Sequence, residues 1–258
     1  MKKFHFKIVV LLMTFFIFFP LNLLANDLLI VDRRVNRIII DPGLGGSEKG
    51  KKACLDNTYA KDINLNISKL LSKTIQEHLD IEVLLTRQDD KELSIENRLN
   101  IINNSKSDLL ISIQTNSHEN NLARGIETYF LNLFTEHNTS DEWVDKQPAY
   151  QQSSGDLRAI YKDLLIFSKM QESSTLAKHI QSSICEHLEK NFPEIVDRGT
   201  KQSPLEFLIN SNISSIVVFT GFLSNPQDCE MLSSIKFQKE LAEGIVKGIV
   251  EFMNDKSL

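Results

Sequence analysis

Residues 37–46 read Arg-Ile-Ile-Ile-Asp-Pro-Gly-Leu-Gly-Gly, and no other stretch restricts the fold as much. Three consecutive β-branched side chains read as a strand buried on both faces. The Asp-Pro-Gly-x-Gly-Gly that follows ends this strand in a tight loop with accessible backbone. Open α/β sheets place their ligands at such strand ends. The side chain at the centre of this loop belongs to Leu44, which can do no chemistry. The rest of the chain must explain a site-like loop around an inert residue.

The remaining pattern alternates. Apolar spacing predicts helices over Asn64–Leu79, Ser94–Asn104 (with Ser94 as N-cap), Ser173–Asn191, Gln227–Ser233 and Phe237–Phe252. Apolar runs predict strands over Ile81–Thr86, Asp108–Gln114, Ile126–Leu131, Leu205–Ile209 and Ser215–Phe219. Ser47–Asp62 reads as a long loop, 26–36 as a lead-in whose Leu28–Val31 could pair at a sheet edge, and 135–170 as a polar insertion with one or two short helices. The expected architecture is a single α/β domain over 37–258, with a mostly parallel central sheet flanked by helices and a helical lid insertion.

Ahead of it, residues 1–25 carry Lys2, Lys3 and Lys7, an apolar run from Ile8 to Phe19 interrupted by Thr14, and a small residue at Ala25. This is the layout of a secretory signal peptide, and the run is short for a membrane span. Cleavage is favoured over retention as an N-terminal anchor, and either way the chain is expected in the periplasm or cell envelope. The net charge is −5; without the three leader lysines it falls to about −8, which argues against nucleic acid or an anionic membrane surface as partner. Cys54, Cys185 and Cys229 are too few for a disulfide framework or a cysteine zinc site. One bridge with a free thiol, or no bridge, are both open.

Several segments together resemble the catalytic domain of zinc-dependent N-acetylmuramoyl-L-alanine amidases. They are Ile38–Gly46, Lys61–Leu71, Leu85-Thr86-Arg87, Ile95–Asn104, Asp108–Ser117, Arg124–Leu131, Asp197-Arg198-Gly199 with Lys201-Gln202, and Val217–Pro226. The resemblance implies an amidase fold and a zinc ion held by two His and one Glu, with a further Glu as general base on a bound water. Carried over position by position, the three ligands fall on Leu44, Ala60 and Gln114, and the base falls on Phe219. Leu and Ala offer no lone pair, a neutral amide is a poor zinc donor, and Phe accepts no proton. The family's zinc is therefore expected to be absent, and no catalytic or metal-binding residue is assigned.

No nearby residue replaces them. His118 lies beyond the strand end and reads as an exposed loop residue; His78, His179 and His187 fall in helices and read as solvated. Asp62 is better explained as an acid favouring a helix N-terminus, and Asp41 as a structural partner of the glycine turn. Asn116, Arg124, Arg198, Lys201 and Gln202 lie in segments similar to the family's cleft walls and are candidates for binding a peptide stem or its carboxylates. Arg124 and Arg198 read equally well as partners of the domain's own acids. In the cell-division branch of the family the insertion is a regulatory helix, and Glu142 and Trp143 are candidates for docking a partner. The sequence thus points to an exported, inactive amidase-like protein binding peptidoglycan, or a cell-wall hydrolase or its activator. An active amidase with an atypical metal site and a structural periplasmic subunit are the alternatives.

Overall fold

A computed structural model of the chain describes residues 35–54, 57–131 and 148–255. The lead-in strand, the leader, Glu142 and Trp143 lie outside them. The described residues form one α/β domain around a six-stranded sheet of order β2-β1-β3-β6-β4-β5. Its strands are β1 (Arg37–Pro42), β2 (Glu82–Leu85), β3 (Leu109–Asn116), β4 (Ile126–Leu131), β5 (Asp197–Ser203) and β6 (Ser214–Phe222). The helices are α1 (Ala60–His78), α2 (Ile95–Asn104), α3 (Pro148–Gln152), α4 (Asp156–Leu188), α5 (Glu206–Asn210), α6 (Pro226–Ser233) and α7 (Ile235–Asn254). All pairings are parallel except β4 with β6, so the mostly parallel sheet is as expected.

Alternation along the strands assigns the two faces. Ile38 and Ile40, Leu109, Ile111 and Ile113, Ile216 and Val218 join a core with α1, α4 and α7. Ile39 and Leu110 pack instead against Ile102 of α2 and Phe207 of α5. Because β1, β3 and β6 run parallel, their carboxyl ends share one rim, and antiparallel β4 begins there.

Four sequence expectations change. The loop after β1 ends at Tyr59, not Asp62: Asp62 accepts the Tyr59 N–H at 2.9 Å and so closes the first turn of α1. α4 starts at Asp156 and runs unbroken to Leu188, so 156–170 belongs to it rather than to an irregular insertion. No Pro or Gly interrupts this stretch after Gly155. Leu205–Ile209 is not a strand; Glu206–Asn210 is a helical turn, and a short apolar run cannot distinguish the two. Asp197–Ser203 is an edge strand that its polar sequence concealed. The outer face of the first half of α4 leaves Leu157, Ile160, Leu164 and Phe167 exposed.

Candidate functional site

The glycine loop is held from beneath by two buried arginines. Arg98 donates to Asp41 Oδ1 at 2.7 Å, to Pro42 O at 2.9 Å and to Leu44 O at 2.5 Å. Arg87 donates to Pro42 O and Gly43 O, each at 3.0 Å, and to Lys61 O at 2.9 Å. Burial, and then repulsion from Arg98, lowers the Arg87 pKa. Asp41 also accepts from Thr86 Oγ1 at 2.6 Å and Ser112 Oγ at 3.1 Å. Asp41 therefore supports the turn through Arg98, and not by bonding it directly.

The loop backbone turns left-handed at Leu44 (φ 62°) and Gly46 (φ 58°). For a leucine this costs about 1–2 kcal/mol, and the converging arginine bonds hold it there. A Cβ built on Gly50 would meet Leu44 Cδ1 at 2.5 Å and Ala60 Cβ at 2.6 Å, so Leu44 and Ala60 close over one glycine. A Cβ on Gly43 would meet Gln114 Cδ at 2.7 Å, which puts Gln114 against the residue before Leu44. Gln114 pairs in register with Phe219 across β3 and β6. The fold thus brings all four positions to the same rim. The donor set does not fit a zinc ion: two aliphatic side chains, one amide and one phenyl ring supply no ligand shell. Phe219 instead packs edge-on against Tyr129, ring centres 5.2 Å apart.

Beside Phe219 in the β4–β6 register stands Glu127, buried within the domain. Its carboxylate accepts from Arg198 Nε at 2.7 Å, from Asn116 Nδ2 at 3.0 Å and from Lys201 Nζ. Burial pushes this carboxyl up, but the bonds from Arg198 and then Lys201 outweigh it, and the net pKa is lowered. Three of the five candidate binding residues therefore converge on one acid. Sequence reasoning passed over Glu127; an acid inside the Ile126–Leu131 run, directly after Arg124-Gly125, was the available signal.

Arg124 stands further along, with its guanidinium bonded to Gln227 Oε1 and Glu194 O and its Nε 3.8 Å from buried Asp228. Both arginines thus pair with groups of the domain. Gln202 is opposite Phe130 in the edge pairing and so faces the other side of the sheet from Lys201. His118 is exposed, its Nδ1 accepting from Asn120 N at 2.9 Å. His179 and His187 are not on solvated faces; His179 packs against Glu251 of α7 and Asp255 at its C-cap, and His187 against Glu240 of α7. Cys54 and Cys229 form a disulfide that ties the loop before α1 to α6. Cys185 is the free thiol, its pKa pushed up to about 12 by burial and then by Asp197. The more buried ammonium of Lys169, outside the cleft, donates to Leu208 O at 3.0 Å and to Ser211 O, and burial brings its pKa down to about 7.

An open α/β sheet with a glycine loop held at the carboxyl ends of its parallel strands is the scaffold of a ligand-binding or hydrolytic α/β protein. Residues 38–251 match the model of the N-acetylmuramoyl-L-alanine amidases, and the chain belongs to that family. It is 25% identical over 228 residues to the amidase AmiA of Escherichia coli, covering 84% of this chain and 76% of that protein. It is 26% identical to the probable amidase AmiB of Haemophilus influenzae over 85% of this chain, and spans about half (52%) of that relative's length. Among solved structures, an amidase from Clostridium difficile 630 superposes with a TM-score of 0.65 at 31% identity, over 86% of this chain and 99% of its own. The CwlD amidase of Clostridioides difficile, solved in complex with the GerS lipoprotein, gives a TM-score of 0.63 at 25% identity over 85% and 98%.

Proposed function

We propose that this protein is an exported, catalytically inactive member of the amidase family that binds peptidoglycan, or regulates or scaffolds a cell-wall hydrolase. One observation carries the reading: the four positions where the family's zinc chemistry sits converge in space and hold Leu44, Ala60, Gln114 and Phe219. The buried acids of the rim do not substitute for them. Asp41 is bound by Arg98, and Glu127 by Arg198 and Lys201, so their charge is already balanced.

What persists at the rim favours binding. Arg198 and Lys201 bring two positive charges to the single charge of Glu127, and each keeps about a third of its side chain exposed. That surplus suits a carboxylate of a stem peptide. The disulfide supports an oxidising, exported setting. The partner half of the reading draws on the amidase solved with a lipoprotein, and on the four apolar side chains that α4 holds in solvent.

Incubation with purified sacculi tests the reading. The protein is expected to co-sediment with them and to release no stem peptides; peptide release by the purified protein would overturn it. Restoring Leu44→His, Ala60→Glu, Gln114→His and Phe219→Glu together is expected to regain zinc at the rim, since the loop backbone is already in place. Failure of the folded quadruple variant to gain a zinc equivalent over the parent would mean that the cleft itself has moved.

A further inference from the structure

Away from the rim, on the sheet face that also carries α1, α4 and α7 lie unusually close. Gly244 and Gly248 present bare backbone to α4: a Cβ on the first would stand 3.0 Å from Ile184 Cα, and on the second 2.5 Å from Ile180 Cα. This approach presses His187 of α4 onto Glu240 and Glu243 of α7. The His187 side chain is 10% exposed, and its Nε2 lies 2.8 Å from Glu240 Oε2 and 3.4 Å from Glu243 Oε2. Despite these distances the buried Nε2 makes no hydrogen bond; the carboxylates are near it but off its axis. The two glutamates are three residues apart on one helix and share a face. Ligand atoms of all three residues lie within 4.8 Å of one another.

We propose that His187, Glu240 and Glu243 form a binding site for a divalent transition-metal ion of the zinc type, which pins α4 to α7. A tetrahedral ion with bonds of about 2.0–2.1 Å holds its ligand atoms about 3.3 Å apart, and the two separations from Nε2 bracket that value. One imidazole and two carboxylates suit zinc and leave a fourth position for water on the side of Glu243, which is half exposed. Lys247 is the competitor. Its ammonium lies 2.5 Å from His187 Nδ1 and donates there, which leaves the ring proton on Nε2 and blocks coordination. Metal binding requires Lys247 to turn into solvent, which its exposed position permits, and the proton to move to Nδ1. The site is independent of the amidase-like rim, so zinc content alone does not report on that rim.

Equilibrium dialysis of the purified protein against zinc, counted by atomic spectroscopy, tests the site. One equivalent is expected, together with an absorption band in the visible range when cobalt replaces zinc. His187→Ala, and Glu240→Gln with Glu243→Gln, are expected to weaken binding more than about 100-fold, and Lys247→Met to tighten it about 10-fold. Zinc is expected to raise the melting temperature of the parent and not of folded His187→Ala. No zinc on the folded parent, zinc retained at parental affinity by His187→Ala, or weaker binding by Lys247→Met would each overturn the proposal. The sacculus experiment is unaffected by any of these outcomes, so the two readings fail separately.

Discussion

The rim of the cleft and the α4–α7 seam partner their acids in opposite ways. At the rim the buried acids are held by guanidinium or ammonium groups, Asp41 by Arg98 and Glu127 by Arg198 and Lys201. In the seam the acids face imidazoles instead: His187 against Glu240 and Glu243, His179 against Asp255 at 2.9 Å. A carboxylate already paired with a cation is a poor metal ligand, whereas one beside a neutral imidazole is half of a metal site. The rim is thus closed to a cation at its buried acids as well as at Leu44, Ala60, Gln114 and Phe219. Its remaining acids are committed to holding the scaffold in shape.

The strongest test of that commitment is Arg98→Met. It leaves the buried Asp41 carboxylate without a cation, bonded only by the Thr86 and Ser112 hydroxyls, and frees the Leu44 carbonyl. The expected loss is about 3–5 kcal/mol in urea denaturation. A loss below about 1 kcal/mol would mean that the loop holds its shape without its ion pair.

On the seam side, Gly248→Ala places a carbon 2.5 Å from Ile180 Cα and 2.9 Å from His179 O. Both neighbours are helix backbone and cannot move aside, so about 2–3 kcal/mol of overpacking is expected. The same variant should lose zinc affinity, because separating the helices draws His187 away from the glutamates. Unchanged melting would mean that the helices are free to slide, and the contrast between a rigid seam and a rigid rim would lose one side.

Glu127→Gln acts on the rim more mildly, because Arg198 and Lys201 are partly solvated. About 1–2 kcal/mol is expected at neutral pH. The sign with pH follows from the lowered carboxyl pKa: the contribution is present above the ordinary glutamate value, about 4.3, and is lost as pH falls through the lower folded value. Parent and variant stabilities should therefore converge on acidification below about pH 4. Parallel curves through that range would mean that Glu127 does not titrate as part of this cluster.

The legibility of the chain follows the same division. β1, β3 and β6 announce themselves because strands buried on both faces are continuous apolar runs. β5 has no such run: Asp197–Ser203 is a strand only because β4 supplies its partners. The early turns of α4 do carry a helical stripe, Leu157, Ile160, Leu164 and Phe167 at i, i+3, i+7 and i+10, but it faces solvent, and reading 135–170 as a polar insertion passed over it. Leu44, Ala60, Gln114 and Phe219 were placed by the family resemblance alone, and the fold brings them to one rim. Asp41 was read as a structural group, but Glu127 was not, since it is one charge in a strand and its cationic partners lie about 70 residues away. Seam chemistry was hidden for the same reason: neither Gly244 nor Gly248 reveals its close approach until α4 is laid beside it.

Leu44→Asn is expected to have the smallest effect, and it separates two accounts of the loop. Asparagine tolerates the left-handed backbone better than leucine, a gain of about 1 kcal/mol. Against this, the half-buried leucine packs beside the core and over Gly50 with Ala60, and its removal costs about 1 kcal/mol. If Leu44 is merely tolerated where a ligand once stood, the two terms cancel and the urea midpoint moves by less than about 1 kcal/mol. A loss above about 2 kcal/mol would show that the apolar contact between Leu44 and Ala60 now ties the loop to α1, the same two points that a metal ion would have joined.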